Sequence, residues 1–381
     1  MKSLRLYACS MLLLSMASQA EEIPLTLGGQ VGKAAVVMEL NIQPDGAVDG
    51  RYFYRQHHVD IPLAGQKRED GSVLLCEGEL NEAELRDHGC DGFELKPLGK
   101  GSWQGNWRGG KQGKTIAVQL EPLVLPADAA KPGRLASNSG YELARRADMS
   151  LRKGKSERVQ GHTLQWWSEP VSGISLFRVQ DGYPAEALER INAVLTERHW
   201  QEVGAALSCL VRQGQRGEYQ VQAKPRLLSP KLFSTSVMIS YDCGGAHPDF
   251  GDSPINLDVE SGRLLQLEDL LWLGRGKPQL ARNANGDRVN FDYEDNVLAP
   301  WLARTMAQRY PRESRPSAEA DCNYRDKSVW RFPSWYLMPK GLYLGPSFPR
   351  VERACEYPDW SVLPWSVLRQ HPGAGFSRLP T

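Results

Sequence analysis

Between residue 23 and about residue 122, apolar and polar side chains alternate with a period of two. That period admits strands and excludes amphipathic helices. Val36, Met38, Leu40 and Ile42 share one strand face, and Pro44-Asp45-Gly46 turns the chain. Tyr52 and Tyr54 continue the alternation, and Val59, Ile61 and Leu63 form another strand. Asp70-Gly71 is a hairpin signal. Val73, Leu75, Phe93, Ile116, Val118 and Leu120 follow the same pattern. Short antiparallel strands joined by tight turns predict a small barrel or sandwich over 23–122. Trp103 and Trp107 fall on one face of a strand there. They would serve either as a sugar-stacking platform or as a plug at the barrel end, and burial is the commoner fate of such rings. His57 and His58 are adjacent, so on a strand they point to opposite faces and cannot chelate one metal. Solvated histidines beside a turn are expected.

The N-terminus carries Lys2 and Arg5, an apolar run from Leu6 to Met16, and Ala17-Ser18-Gln19-Ala20 before Glu21-Glu22. This layout predicts a secretory signal peptide over 1–20, cleaved after Ala20. Its core is too short to span a bilayer, and no later segment is apolar enough to do so. Cys9 is a poor lipoprotein site because most of the apolar run follows it. The expected compartment is the periplasm or the exterior.

Six cysteines remain beyond that leader: Cys76, Cys90, Cys209, Cys243, Cys322 and Cys355. An even count in an exported chain points to disulfides, and none of the six forms a CxxC. Fifteen pairings are possible. Pairing neighbours in sequence gives Cys76–Cys90, Cys209–Cys243 and Cys322–Cys355. Without Lys2 and Arg5, the 46 basic residues fall to 44 against 45 acidic ones. There is no basic excess to neutralise phosphates, so nucleic acid is not an expected partner.

From residue 123 to 140 the chain is rich in Pro, Ala, Gly, Ser and Asn, as a linker would be. A second domain is expected over 141–381. Its start, Arg145 to Arg158, is basic and is expected to face solvent. Trp166 and Trp167 stand in an extended stretch; with Trp103 and Trp107 they are the candidate binding aromatics. Leu188, Ile191, Leu195, His199 and Val203 recur at helical spacing and predict one long helix from about Ala185 towards Leu210. Val237, Ile239 and Tyr241 mark a strand, Gly244-Gly245 a corner, and Ile255, Leu257 and Val259 its partner. Ser261-Gly262 closes a tight turn. Glu268-Asp269 suits the start of a short helix and is expected to cap it; as a glycosidase pair it is set aside, because adjacent carboxylates diverge at a helix start. Near the end, Pro339-Lys340-Gly341 turns a hairpin, with Gly341 in a left-handed bulge position. The fold class is therefore α+β: an antiparallel barrel or sandwich, then an antiparallel sheet with one long helix.

In order along 174–368 stand Ile191-Asn192, Gly244-Gly245-Ala246-His247, Asn256-Leu257-Asp258, Ser261-Gly262-Arg263, Leu267-Glu268-Asp269-Leu270 and Lys340-Gly341-Leu342. Taken together, this segment resembles a domain of unknown function. That domain occurs in a lysozyme-sensing, extracytoplasmic anti-sigma factor (RsiV-like) and, as an accessory domain, in some peptidoglycan deacetylases (PdaC-like). The resemblance implies an α+β domain at the cell envelope that binds lysozyme or a peptidoglycan-related ligand rather than catalysing a reaction. The chain lacks the anti-sigma factor's sigma-binding segment and the deacetylase domain, so neither signalling nor deacetylation is implied.

The alternative is a hydrolase of envelope glycans or peptides. Asp242, His247 and Asp249 crowd the glycine corner, and a histidine beside carboxylates can act as a general base. Turns also favour Asp and Gly for conformational reasons alone, which makes a structural bend the stronger expectation. His162 is a second lone histidine of the same kind. No nucleophile elbow, phosphate loop or dinucleotide fingerprint is visible. Neither a metal nor a cofactor is expected.

Overall fold

Eight strands in sequence order close on themselves at the N-terminal end of the chain. They are β1 (Leu25–Val31), β2 (Ala34–Ile42), β3 (Ala47–Tyr54), β4 (Ile61–Lys67), β5 (Val73–Glu77), β6 (Gly92–Gly99), β7 (Ser102–Gly109) and β8 (Lys114–Pro122). The computed structural model describes residues 24–78, 90–109, 113–125, 139–211, 216–283, 286–316 and 322–375. The proposed leader and most of the proposed linker lie outside these residues. β1 pairs with β8 in antiparallel register, Leu27 opposite Pro122, and so closes the barrel. Every second residue enters the core, including Leu27, Val31, Met38, Leu40, Leu75, Phe93, Leu95, Val118 and Leu120. Tight coiling is possible because glycine stands where strands approach closely. A Cβ on Gly65 or Gly105 would lie 1.9 Å from the carbonyl oxygen of Leu74 or Glu94.

The chain divides into two units. Of the described residues, the first holds those up to Lys33, Met38–Tyr52 and those within Pro62–Leu123; the second holds Ala34–Val37, Phe53–Ile61 and those from Val124 on.

The second unit is built on three antiparallel sheets. β9 (Arg152–Val159), β10 (His162–Ser168) and β11 (Ser175–Val179) form the first. β12 (Glu218–Leu228) and β13 (Leu232–Asp242) form the second, whose further edge is split. Leu232–Thr235 of β13 pair with β15 (Ile255–Asp258), and Met238–Tyr241 pair with β14 (Asp249–Asp252). β16 (Ser334–Met338), β17 (Gly341–Gly345) and β18 (Val362–Pro364) form the third. The Pro339-Lys340 turn is as short as expected, but the reason for Gly341 differs from the expected bulge. Its φ is +148°, and a Cβ there would sit 2.0 Å from the Leu363 carbonyl oxygen, so β18 requires it.

Helix α1 spans Gly140–Ala147, and the Ser139 hydroxyl caps it by accepting the Glu142 N–H at 3.4 Å. Helix α2, Ala185–Ser208, runs unbroken through Gly204. Ile191, Leu195, His199 and Val203 fall on its buried face, as the periodicity requires. Two sequence expectations fail around α1. Arg145 is 1% exposed, not solvent-facing, because it pairs with Asp60 and lies over the rings of Phe53 and Tyr141. His58 is buried in a turn with φ +60°, whereas His57 is exposed; neither stands on a strand. The three disulfides pair Cys76–Cys90, Cys209–Cys243 and Cys322–Cys355, with Cα separations of 5.6, 4.8 and 5.5 Å. They fit an oxidising, non-cytoplasmic compartment. No helix among the described residues is long and apolar enough to cross a membrane.

His199 sets an acid limit on this unit. Its side chain is fully buried, Nε2 donates to the Ile174 carbonyl at 3.1 Å, and Nδ1 accepts from Arg178 at 3.4 Å. Burial, reinforced by the Arg178 charge, lowers its pKa to about 4. The unfolded chain then binds a proton near pH 6.5 that the folded chain refuses. Stability is fully present above that pH and falls as pH drops from 6.5 towards 4, by about 3 kcal/mol in all. Urea midpoints at pH 7 and pH 4.5, compared between wild type and His199→Phe, measure it. An equal acid loss in the two proteins would remove His199 as its source.

Candidate functional site

Neither the glycine corner nor the tryptophans assemble a reactive centre. His247 is exposed and makes no hydrogen bond or ion pair among the described residues. Asp242 accepts the Gly244 N–H at 3.3 Å, closing the turn. Asp249 accepts the Phe250 N–H at 2.8 Å and pairs with Arg353 at 2.9 Å. Among the described residues, no group of three or more His, Cys, Asp or Glu side chains could hold a metal ion. His162 stacks on Tyr183, ring centroids 4.6 Å apart, and its Nδ1 lies 3.0 Å from the Asp181 carbonyl.

The candidate aromatic rings are already occupied. Trp103 is 8% exposed, and the Trp107 indole donates to Glu77 at 2.7 Å, a carboxylate that also accepts from Tyr52 at 2.6 Å. Trp166 donates to Glu157 at 2.7 Å, meets Phe177 edge-on and lies under Lys155. Trp167 is the exception: it is half-buried, and its Nε1 is buried without a hydrogen-bond partner.

Different residues line a cavity of about 170 Å³ in the second unit. They include Gln266, Glu268, Arg282, Arg288, Glu294, Arg331, Phe332 and Trp335. One wall is the single 3-10 turn Leu267–Asp269. Here the sequence expectation needs correcting. Only Asp269 caps: it accepts the Gln266 N–H at 2.7 Å and holds Arg263 through two bonds of 2.8 and 2.9 Å. Glu268, one residue earlier, turns the other way and lines the cavity. The second wall is Ala281, Arg282 and Arg288; Gln266 ties Arg282 back, accepting its N–H at 2.8 Å and donating to its carbonyl at 3.0 Å. The third is a helical run: Phe291–Tyr293, a π-helical stretch Glu294–Leu298, then α3 (Ala299–Arg309). The wider π turn presents Glu294 to the cavity; such turns recur at functional sites. The last wall, Arg331 to Trp335, follows the 3-10 turn Lys327–Trp330, which Asp326 caps at 2.8 Å.

Two carboxylates form the floor. Glu268 and Glu294 are each 2% exposed. Burial raises the pKa of Glu268, and the charges of Glu294 and Asp269 add to it. Burial also raises Glu294, against the pull of Arg288, which pairs with it. Above them lies an open rim. Phe291 is 48% and Phe332 37% exposed, and their rings meet edge-on at 6.5 Å. Arg288 and Arg331 lie 4.1 and 4.7 Å from the Phe332 centroid, a cation–π cluster. Arg331 is held by Asp295, with Nη2 to Oδ2 at 2.7 Å.

Sequence reasoning missed all of this rim. Arg288 and Phe291 come from one segment and Arg331 and Phe332 from another, with no shared periodicity. The local signal was an arginine near a phenylalanine in each segment, which on its own says little.

No protein-family model matches the chain, and no curated protein matches it in sequence. Among solved structures it is similar to a member of the DUF3298 family from Bacteroides fragilis, at 10% identity and a TM-score of 0.34. That match covers 60% of this chain and 96% of the other. A likeness at that level bears on neither site nor activity.

Proposed function

We propose that the chain is an exported, non-enzymatic binding protein of the cell envelope, periplasmic or secreted, whose ligand is a protein of the lysozyme kind. The observation that carries this reading is the pair of exposed rings Phe332 and Phe291, with the half-buried Arg288 and Arg331 against Phe332. Arginine and aromatic side chains are enriched at the centres of protein interfaces. A peptidoglycan ligand would need an aromatic face free for sugar stacking. Two guanidinium groups lie against Phe332, Lys155 lies over Trp166, and Trp103 is buried. The sequence resemblance to the RsiV-like and PdaC-like domain supports the same compartment and the same kind of role. The hydrolase alternative has no comparable support, because His247 stands alone at the surface.

The test is retention of lysozyme on the immobilised mature chain, run beside co-sedimentation with peptidoglycan sacculi. Lysozyme is expected to be retained and the sacculi are expected to pellet without the chain. Arg331→Ala and Phe332→Ala are each expected to weaken retention about tenfold or more, the loss typical of an interface anchor. No retention of lysozyme, or wild-type retention by both variants, would sink the proposal.

A further inference from the structure

The two acids on the floor of the cavity are incompletely partnered. Glu268 accepts only main-chain N–H groups, including Ala281 at 3.3 Å, and has no cationic partner among the described residues. Glu294 spends one carboxylate oxygen on Arg288; its other oxygen, Oε2, is buried without any hydrogen-bond partner. A buried carboxylate without a partner is costly, so such an arrangement points to a missing guest or a bound proton. The cavity, at about 170 Å³, falls short of the usual 300–1,000 Å³ of a small-molecule site. It is several times the roughly 30 Å³ share of one water. One side-chain head group fits that size.

The rim guanidinium groups do not exclude a positive guest. Arg288 is neutralised by Glu294 and Arg331 by Asp295. Arg282 alone lines the cavity without a carboxylate partner among the described residues; it is exposed and donates to the Gly286 carbonyl at 2.6 Å.

We infer that this cavity receives a lysine or arginine side chain from the protein partner, its cationic head bonded to Glu268 and flanked by Phe332 and Trp335. The inference rests on the protein-binding reading above and names the chemistry of the partner's anchor. The aromatic rim shields the new ion pair from water, which strengthens it.

The probes are Nα-acetyl-arginine methylamide, Nα-acetyl-lysine methylamide and the neutral isostere Nα-acetyl-citrulline methylamide. Each is titrated into the mature chain carrying 15N-labelled tryptophan, whose 11 indoles give countable signals. The Trp335 signal is identified by its loss in Trp335→Phe. Both cationic probes should shift it saturably, and citrulline should bind about tenfold more weakly or not at all. Glu268→Gln should weaken the arginine probe about tenfold, and Arg282→Ala should strengthen it. The other ten indole signals report that each variant is folded. Equal binding of citrulline and arginine, or an unchanged affinity in folded Glu268→Gln, would overturn the inference. If the probes fail while lysozyme retention still depends on Arg331 and Phe332, only this inference falls. If they bind as expected and lysozyme is not retained, the anchor chemistry stands and the partner assignment falls.

Discussion

Asp60→Ala is expected to destabilise the second unit by about 3–5 kcal/mol, the cost of orphaning a buried cation. Asp60 is 4% exposed, and its donors include three side chains. Tyr141 donates through its hydroxyl at 2.6 Å, Ser208 does so at 2.6 Å, and Arg145 pairs with it directly. Arg145 is 1% exposed, and its Nε and Nη1 have no hydrogen-bond partner. Its remaining support is Glu142 at 3.7 Å and the rings of Phe53 and Tyr141, 5.0 and 5.1 Å away. Without Asp60, those contacts leave the guanidinium no hydrogen-bonded carboxylate in a dry site. Removing both charges should therefore cost less than removing one. Asp60→Leu with Arg145→Met is expected to be more stable than Asp60→Ala alone. Urea unfolding followed by near-ultraviolet circular dichroism gives all the values. A loss under about 1 kcal/mol in Asp60→Ala would show that the pair is not the determinant the geometry makes it.

How far the sequence could lead follows from which signals are local. Strand alternation is local, so the core residues from Val36 to Leu120 and the helix from Ala185 were legible. Disulfide pairing by neighbourhood worked because each bridge joins residues 14 to 34 apart in sequence. Charge burial is not local. Nothing in residues 140–147 says that Arg145 meets an aspartate 85 positions earlier, and a basic run reads as a surface. The cavity was hidden for the same reason. Glu268-Asp269 looked like one capping unit, whereas the structure separates the two carboxylates. Asp269 satisfies the turn, and Glu268 meets Glu294 across the cavity. The glycine-histidine corner drew attention because its residue types are chemically loud, yet its carboxylates are spent on turn N–H groups and Arg353.

That corner has a structural task which a second experiment isolates. Cys209 ends α2, and Cys243 directly follows β13. Their bridge closes a loop of 34 residues containing the whole β12–β13 hairpin. Beyond it, Gly244 takes φ +77°, and a Cβ there would lie 2.9 Å from the Cα of Val211. The bend is thus shaped by a cross-link on one side and a close backbone approach on the other. Replacing both cysteines by alanine is expected to cost about 4 kcal/mol through the freed loop entropy of the unfolded chain. For a unit of this size that is a fall of about 10 °C in Tm. The 14-residue separation of Cys76 and Cys90 gives a smaller expectation, about 3 kcal/mol. If Cys209→Ala with Cys243→Ala melts at the wild-type temperature, the bridge does not constrain the unfolded chain. The bend would then owe its shape to Gly244 and the Asp242 cap alone.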